Sequence, residues 1–295
     1  KTISDLLSKK QRIAIILPQG GSLYQSANRL PQIDLRLFDL VNGIDCWRKE
    51  IEAYNPTIIV APPKVLRHAV VEGFRLDPVR VFAAAETLDQ IDRRIIENAF
   101  NCKLGQIYMA TEGLLATTCR YGRLHLAEDS VYFEFEAIGN GLVNPSITCF
   151  RRQTQILARY QMNDLLRLGK NRCECGSPMQ VVDEIVGRVD DCFYVPAKTK
   201  KMEMFTPDIL RNAILSSDHR IQDFRLVQTS DRVLELILDS SLPKSAAEAA
   251  EASLNSLIRH RGANATVKCH LRKLIFNPSR KLRRVENRIK PRIEV

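Results

Sequence analysis

Apolar and polar positions follow two different textures along this chain. From the start to about residue 110, short β-branched apolar runs at 12–17, 33–38, 57–60, 79–84 and 106–109 read as strands. Between them, helical spacing predicts helices around 23–30, over 46–54, after Pro62-Pro63 and over 87–100. Proline suits a first helical turn, where its missing N–H has no partner to lose. Strands separated by single helices pair side by side only in parallel, through right-handed crossovers. This half therefore predicts an α/β, doubly wound, mostly parallel sheet, in which ligands sit beyond the carboxyl ends of the strands.

After Glu112 the pattern changes. Strand-like runs at 124–126, 131–137, 147–152 and 158–165 are joined by turns such as Gly139-Asn140-Gly141, with no long helix between them, which predicts a small antiparallel β region. From Pro196 onward a helix (208–215), two strands (224–229, 233–238), a longer helix (245–260) and a strand (266–271) describe a small α+β domain. The chain is expected to divide into a large domain, 1–188, and a small one, 189–295.

Composition narrows the classes. At 295 residues, 45% hydrophobic and 26% charged, the chain is expected to be globular. No run of about 18 apolar residues predicts a membrane-spanning helix. The opening Lys1-Thr2-Ile3-Ser4-Asp5 lacks the plan of a signal peptide, so a cytoplasmic protein is expected, begun inside a longer sequence. Eight cysteines are too sparse for a disulfide scaffold of this length. The formal charge is +10, but residues 271–292 hold nine bases against one acid, Glu286, a net +8. The body is near neutral, and a broad nucleic-acid surface is not expected. Only Phe276 interleaves the basic tail, so stacking on single strands is not supported either.

Four segments carry candidate chemistry. Tyr108-Met109-Ala110-Thr111-Glu112-Gly113 ends a strand with a hydroxyl and a carboxylate, which suit a magnesium–phosphate group and equally suit a solvent-facing strand end. Arg159 to Asp164 ends another run with an aspartate whose two oxygens suit the hydroxyls of a ribose. Gly187-Arg188-Val189-Asp190-Asp191 lies at the expected domain junction, and Asn277-Pro278-Ser279-Arg280-Lys281-Leu282-Arg283-Arg284 forms a lysine loop near the C-terminus.

Those segments, in that order, resemble the adenylate-forming superfamily of acyl- and aryl-CoA synthetases. Phe82 to Leu88, Tyr108 to Gly113 and Gly122 to Asp129 resemble its phenylacetate–CoA ligase-like branch. The resemblance implies that Ala84, Ala85 and Glu86 line an adenine pocket with Tyr108, that Thr111 and Glu112 meet phosphate and Mg2+, and that Asp164 meets the ribose. It further implies that Arg188 contacts phosphate, that Asp190 is the hinge of a mobile small domain, and that Lys281 stabilises the adenylation transition state. The cofactors implied are ATP and Mg2+; the partners are a carboxylic acid, aryl by the branch, and CoA or an acyl carrier protein. Attack of a carboxylate on the α-phosphate crowds negative charge, which a lysine and a magnesium ion offset. The family's Gly/Ser/Thr-rich phosphate loop is missing, since Gly20-Gly21-Ser22 lacks its alternation, and Arg280 stands where the family usually has glycine.

Cys119 and His125 bracket a turn, and Cys173-Glu174-Cys175-Gly176 sits on a later loop. Three thiolates and one imidazole form an ordinary tetrahedral zinc set, and the same branch includes members with such a cluster. A reduced Cys-x-Cys turn beside unrelated residues is the competing reading. Cys46, Cys102, Cys149, Cys192 and Cys269 sit in apolar runs and are expected to fill the core. The leading function is thus ATP-dependent activation of a carboxylic acid followed by thioester formation; the alternative is a non-catalytic zinc-containing binding module with a basic tail.

Overall fold

The structure is a computed structural model that describes residues 10–17, 31–151, 156–199, 201–275 and 283–289. The helix expected around 23–30, the glycine pair at 20–21 and Lys281 lie outside these residues. Five strands pair in parallel: β1 (Gln11–Leu17), β2 (Ile33–Asp39), β3 (Ile58–Ala61), β4 (Arg80–Ala84) and β5 (Leu104–Ala110). They are connected by α1 (Ile44–Tyr54), α2 (Pro63–Val71) and α3 (Gln90–Phe100). Pro63 is the first residue of α2, as its fixed φ and absent N–H favour. The helices bury one stripe each, Ile44, Trp47, Ile51 and Tyr54 in α1 and Val65, Leu66 and Ala69 in α2, in a core shared with the strands.

At Thr111-Glu112 the chain reverses, and β6 (Gly113–Thr118) returns antiparallel to β5. Gly113, at φ +134°, makes that reversal in a conformation that residues with a Cβ rarely adopt. From there β7 (Leu124–Leu126), β8 (Val131–Gly139), β9 (Leu142–Cys149), β10 (Tyr160–Gln161), β11 (Asp164–Leu168) and β12 (Val181–Arg188) pair antiparallel and extend the same sheet. The result is one 12-stranded sheet, ordered β10-β9-β11-β12-β7-β6-β5-β4-β3-β1-β2 with β8 on β9.

A single crossing, Val189–Asp191, leaves this sheet. Beyond it lie the hairpin β13 (Phe193–Pro196) and β14 (Met202–Phe205), then α4 (Pro207–Leu215), β15 (Phe224–Ser230), β16 (Val233–Leu238), α5 (Lys244–His260), β17 (Thr266–Leu271) and β18 (Val285–Asn287). Four of these strands form a second sheet, β17-β16-β15-β18. Phe193, Phe205 and Phe224 are fully buried with Leu210, Leu236 and Leu254 in a core distinct from that of the large sheet. Alternation on β16 (Leu234, Leu236 and Leu238 inward) and the apolar stripe Ala246, Ala247, Ala250, Leu254, Ile258 on α5 account for this layer. Among the described residues no helix is long and apolar enough to cross a membrane. Of the cysteines expected in the core, Cys192 alone is buried; Cys46 falls on the exposed side of α1, opposite its apolar stripe.

Candidate active site and candidate metal centre

A cavity of about 400 Å³ opens where β4, β5 and β12 end, β11 starts and the second sheet begins. Ala85, Glu86, Tyr108, Thr111, Glu112, Asp164 and Arg188 all line it. These residues come from separated stretches of sequence, and the topology brings them together because parallel β4 and β5 end on the same side. Ala84, expected with them, is buried at the end of β4 and does not reach the cavity. Ala85 takes a left-handed backbone, φ +67°, which turns the chain sharply off the strand. Such a conformation in a residue other than glycine costs free energy and concentrates at functional sites. Glu86 follows, ion-paired to Lys64 of α2 at 2.9 Å, with both side chains buried.

Opposite this turn, the Tyr108 hydroxyl donates to Asp164 Oδ2 at 2.6 Å. Burial, and then the Asp164 charge, push the phenol far above its ordinary pKa, so it stays protonated as the donor. Asp164 is fixed from its backbone as well, its carbonyl accepting from Asn144 Nδ2 at 2.8 Å. Thr111 Oγ1 donates to Glu112 Oε2 at 3.0 Å, and this hydroxyl–carboxylate pair sits on the exposed reversal between β5 and β6. Arg188 stands opposite Asp164 in the β11–β12 register. Asp190, just beyond, is held by Asn163: Asn163 Nδ2 donates to Asp190 Oδ2 at 2.6 Å, and the Asp190 N–H donates back to Asn163 Oδ1 at 3.3 Å.

The cavity also holds residues that the sequence reading did not single out. Asn163, Asp89, Asp191, Arg211, Arg283 and Arg284 line it. Burial raises the Asp191 pKa against the pull of Arg283 and Arg188. Adjacency to Asp164 and Asp190 was the available signal for Asn163 and Asp191. Nothing local marks Asp89, and Arg284 falls within the lysine loop without a role of its own; their partners are remote in sequence.

The second cluster lies across β6 and β7. Cys119 opens the turn after β6, where its N–H donates to the Arg123 carbonyl at 2.8 Å. His125 is buried in the middle of β7, and the loop carrying Cys173 and Cys175 folds over it because β12 pairs with β7. The ligand atoms of Cys119, His125, Cys173 and Cys175 lie within 4.8 Å of one another. Cys119 Sγ is 3.7 Å from Cys173 Sγ, and Cys175 Sγ is 3.5 Å from His125 Nε2. With metal–sulfur and metal–nitrogen bonds of about 2.3 and 2.05 Å, tetrahedral edges come to about 3.8 and 3.6 Å. These two separations match those edges, and His125 Nδ1, 3.1 Å from the Met179 carbonyl, leaves Nε2 facing Cys175. Burial disfavours a thiolate at Cys119, but the Tyr121 and Arg123 backbone, Cys173 and His125 outweigh it and bring the pKa down to about 7.

Comparison with known proteins agrees with this architecture. No family model matches the chain. Among curated proteins, Protein CapK of Staphylococcus aureus is 33% identical over 92 residues, which is 31% of this chain and 20% of that protein. Among solved structures, 2-hydroxyisobutyryl-CoA ligase in its postadenylation state, in complex with an AMP adduct, superposes with a TM-score of 0.70 at 16% identity, over 95% of this chain and 66% of that one. The same ligase in its thioesterification state superposes at 0.53 and 17% identity, over 95% and 65%. The anthranilate CoA ligase AuaEII, in complex with anthranoyl-AMP, gives 0.62 at 10% identity, over 93% of this chain and 58% of that one. The chain therefore has the fold of the adenylate-forming acyl- and aryl-CoA ligases. It is partial relative to them, spanning about two thirds of the length of the first, 66%.

Proposed function

We propose that the protein to which this chain belongs activates a carboxylic acid with ATP as an acyl-adenylate and then transfers the acyl group to the thiol of CoA or a carrier protein. The observation that carries this reading is the convergence of Ala85–Glu86, Tyr108–Asp164, Thr111–Glu112 and Arg188 on one cavity between the two sheets. In it, the Ala85–Glu86 turn and Tyr108 form the wall against which adenine lies, and Asp164, oriented by the Tyr108 hydroxyl, accepts from the ribose hydroxyls. Thr111 and Glu112 offer oxygen ligands to Mg2+ bound on the phosphates, the group that offsets charge on the transferring phosphoryl. Arg188 offers the phosphates a planar guanidinium. In the first half-reaction a carboxylate oxygen bonds to the α-phosphorus and pyrophosphate leaves; in the second a thiol sulfur bonds to the acyl carbon and AMP leaves. Lys281 is the proposed cation of the first step, on a small domain, 189–295, that turns at Asp190 relative to 1–188. The higher superposition on the postadenylation state, 0.70 against 0.53, is consistent with the orientation described being the one used for adenylation.

Cys119, His125, Cys173 and Cys175 are proposed to hold one structural zinc. Four protein ligands leave no open position, so the ion braces the β6–β7 turn against the β11–β12 loop and takes no part in the chemistry.

ATP–pyrophosphate exchange on the full-length protein, run against aryl, hydroxy and fatty acids, tests the function. Exchange dependent on one acid class is expected. No exchange with any acid, together with retained zinc and binding of a polyanion, points instead to a non-catalytic binding module.

A further inference from the structure

The two sheets meet largely across ion pairs, and one residue gathers several of them. Arg284 precedes β18 at 7% exposure, and its guanidinium reaches three carboxylates. Two of them flank the start of α3 beside the large sheet: Nη1 contacts Asp89, and Asp92 is bound at 2.8 and 3.3 Å by both terminal nitrogens. The third, Asp223, lies just before β15 of the small sheet and accepts from Nε at 2.9 Å.

Each of these acids has a second cation. Arg67 of α2 holds Asp92 at 2.9 Å, Arg225 of β15 holds Asp223 at 3.1 Å, and Arg211 of α4 holds Asp89 at 2.8 Å. Arg67 and Asp92 travel with the large sheet, and Arg225 and Asp223 with the small one. Arg284 joins those two pairs, and Arg67 also donates across to Gln222 of the small domain at 2.9 and 3.2 Å. Separating the two sheets breaks its bonds to Asp89 and Asp92, yet leaves Arg284 with Asp223 and Asp92 with Arg67. Arg67–Asp92 and Arg225–Asp223 stay paired on separation, whereas Asp89 loses both Arg284 and Arg211 and is left to water, so Asp89 favours the docked arrangement. A planar fork of five N–H donors can serve three carboxylates at once, which a lysine ammonium cannot do with the same geometry. Buried ion pairs add little net stability, and where they have an attested use it is to fix one arrangement among several.

We propose that Arg284 is a positioning residue, which sets the orientation of the small domain for adenylation. This rests on the function proposed above. The neighbouring Arg283 reaches Asp191 on the cavity wall at 3.8 Å, so two consecutive arginines face the large sheet and the hinge together.

The test compares Arg284→Met and Asp92→Asn with the wild type in the full-length protein, by amide hydrogen exchange and by separate assays of the two half-reactions. In both variants the first turn of α3 and β18 should exchange about tenfold faster, while α5 and β16 keep wild-type protection. ATP–pyrophosphate exchange should slow about tenfold, while thioester formation from a supplied acyl-adenylate proceeds at the wild-type rate or faster. Three results overturn the proposal: wild-type exchange at β18 in Asp92→Asn, loss of protection throughout α5 and β16 in both variants, or an equal fall in both half-reactions. If the wild type itself shows no exchange with any acid, the functional reading fails, and the amide arm still decides whether Arg284 sets the docking.

Discussion

Tyr108 at the end of β5 and Asp164 at the start of β11 are 56 residues apart and joined by a 2.6 Å hydrogen bond. Because burial keeps the phenol protonated, the hydroxyl is the donor and the carboxylate the acceptor. The bond spans the cavity between the parallel and antiparallel parts of the sheet, and it aims the carboxylate that the proposed function assigns to ribose. Asp164→Ala should weaken AMP binding by about a hundredfold, and Tyr108→Phe, which frees the carboxylate without removing it, by about tenfold. Calorimetric titration with AMP checks both; equal affinities in the two variants and the wild type contradict the assignment.

The metal centre predicts one zinc per chain in protein purified without chelator, measured by elemental analysis. Cys173→Ser should lose the ion and lower the thermal midpoint, because the loop of Cys173 and Cys175 is then no longer tied to β7. Cys46→Ser, a change at an exposed cysteine outside the cluster, should leave zinc content unchanged. Zinc retained at full stoichiometry in Cys173→Ser removes the site.

The parallel half was legible because each apolar β-branched run is bounded by helical spacing, and α1, α2 and β3 to β5 appear within a few residues of where the pattern puts them. The strand β6 was not read, since it starts on the glycine that closes the Thr-Glu segment and leaves Leu114 exposed, which blurs its alternation. The candidate site was legible wherever a role rests on a local segment, as with Thr111-Glu112, Ala85-Glu86 or Cys173-Glu174-Cys175. It was illegible where the role rests on distance: Arg284 meets Asp89 and Asp92 from 195 and 192 positions away. A one-dimensional pattern carries no signal for such pairs, because each member alone looks like an ordinary surface charge.

Gly187 shows how tightly the junction is built. Its φ is +150°, and a Cβ there would lie 3.1 Å from Pro207 Cγ at the start of α4. Gly187→Ala therefore meets both an unfavourable backbone and a neighbour fixed by its ring. A loss of about 1–3 kcal/mol is expected in chemical denaturation. The same substitution at Gly176, which has a positive φ but open space around it, should cost less. Equal costs at the two positions show that the contact with Pro207 is not a constraint.

Asp223 gives the ion-pair network a signature in pH. Burial raises its pKa, but the charges of Arg284 and Arg225 outweigh burial, and the folded value lies below the ordinary 3.8. The folded state thus binds this proton more weakly than the unfolded state does. Its stabilising contribution is complete above about pH 4, where the unfolded carboxyl is ionised, and is lost as pH falls through the depressed folded value. Asp191, with a raised pKa, acts in the opposite direction, favouring the folded state at low pH and ceasing to do so as pH rises through its folded value. A comparison of Asp223→Asn with the wild type cancels Asp191, because both proteins carry it. The wild type should be the more stable at pH 7, and its advantage should shrink steadily below about pH 4, measured by denaturant midpoints at each pH. An advantage that stays constant down to pH 2.5, about the lower limit of such a series, means that the Asp223 carboxylate draws nothing from Arg284.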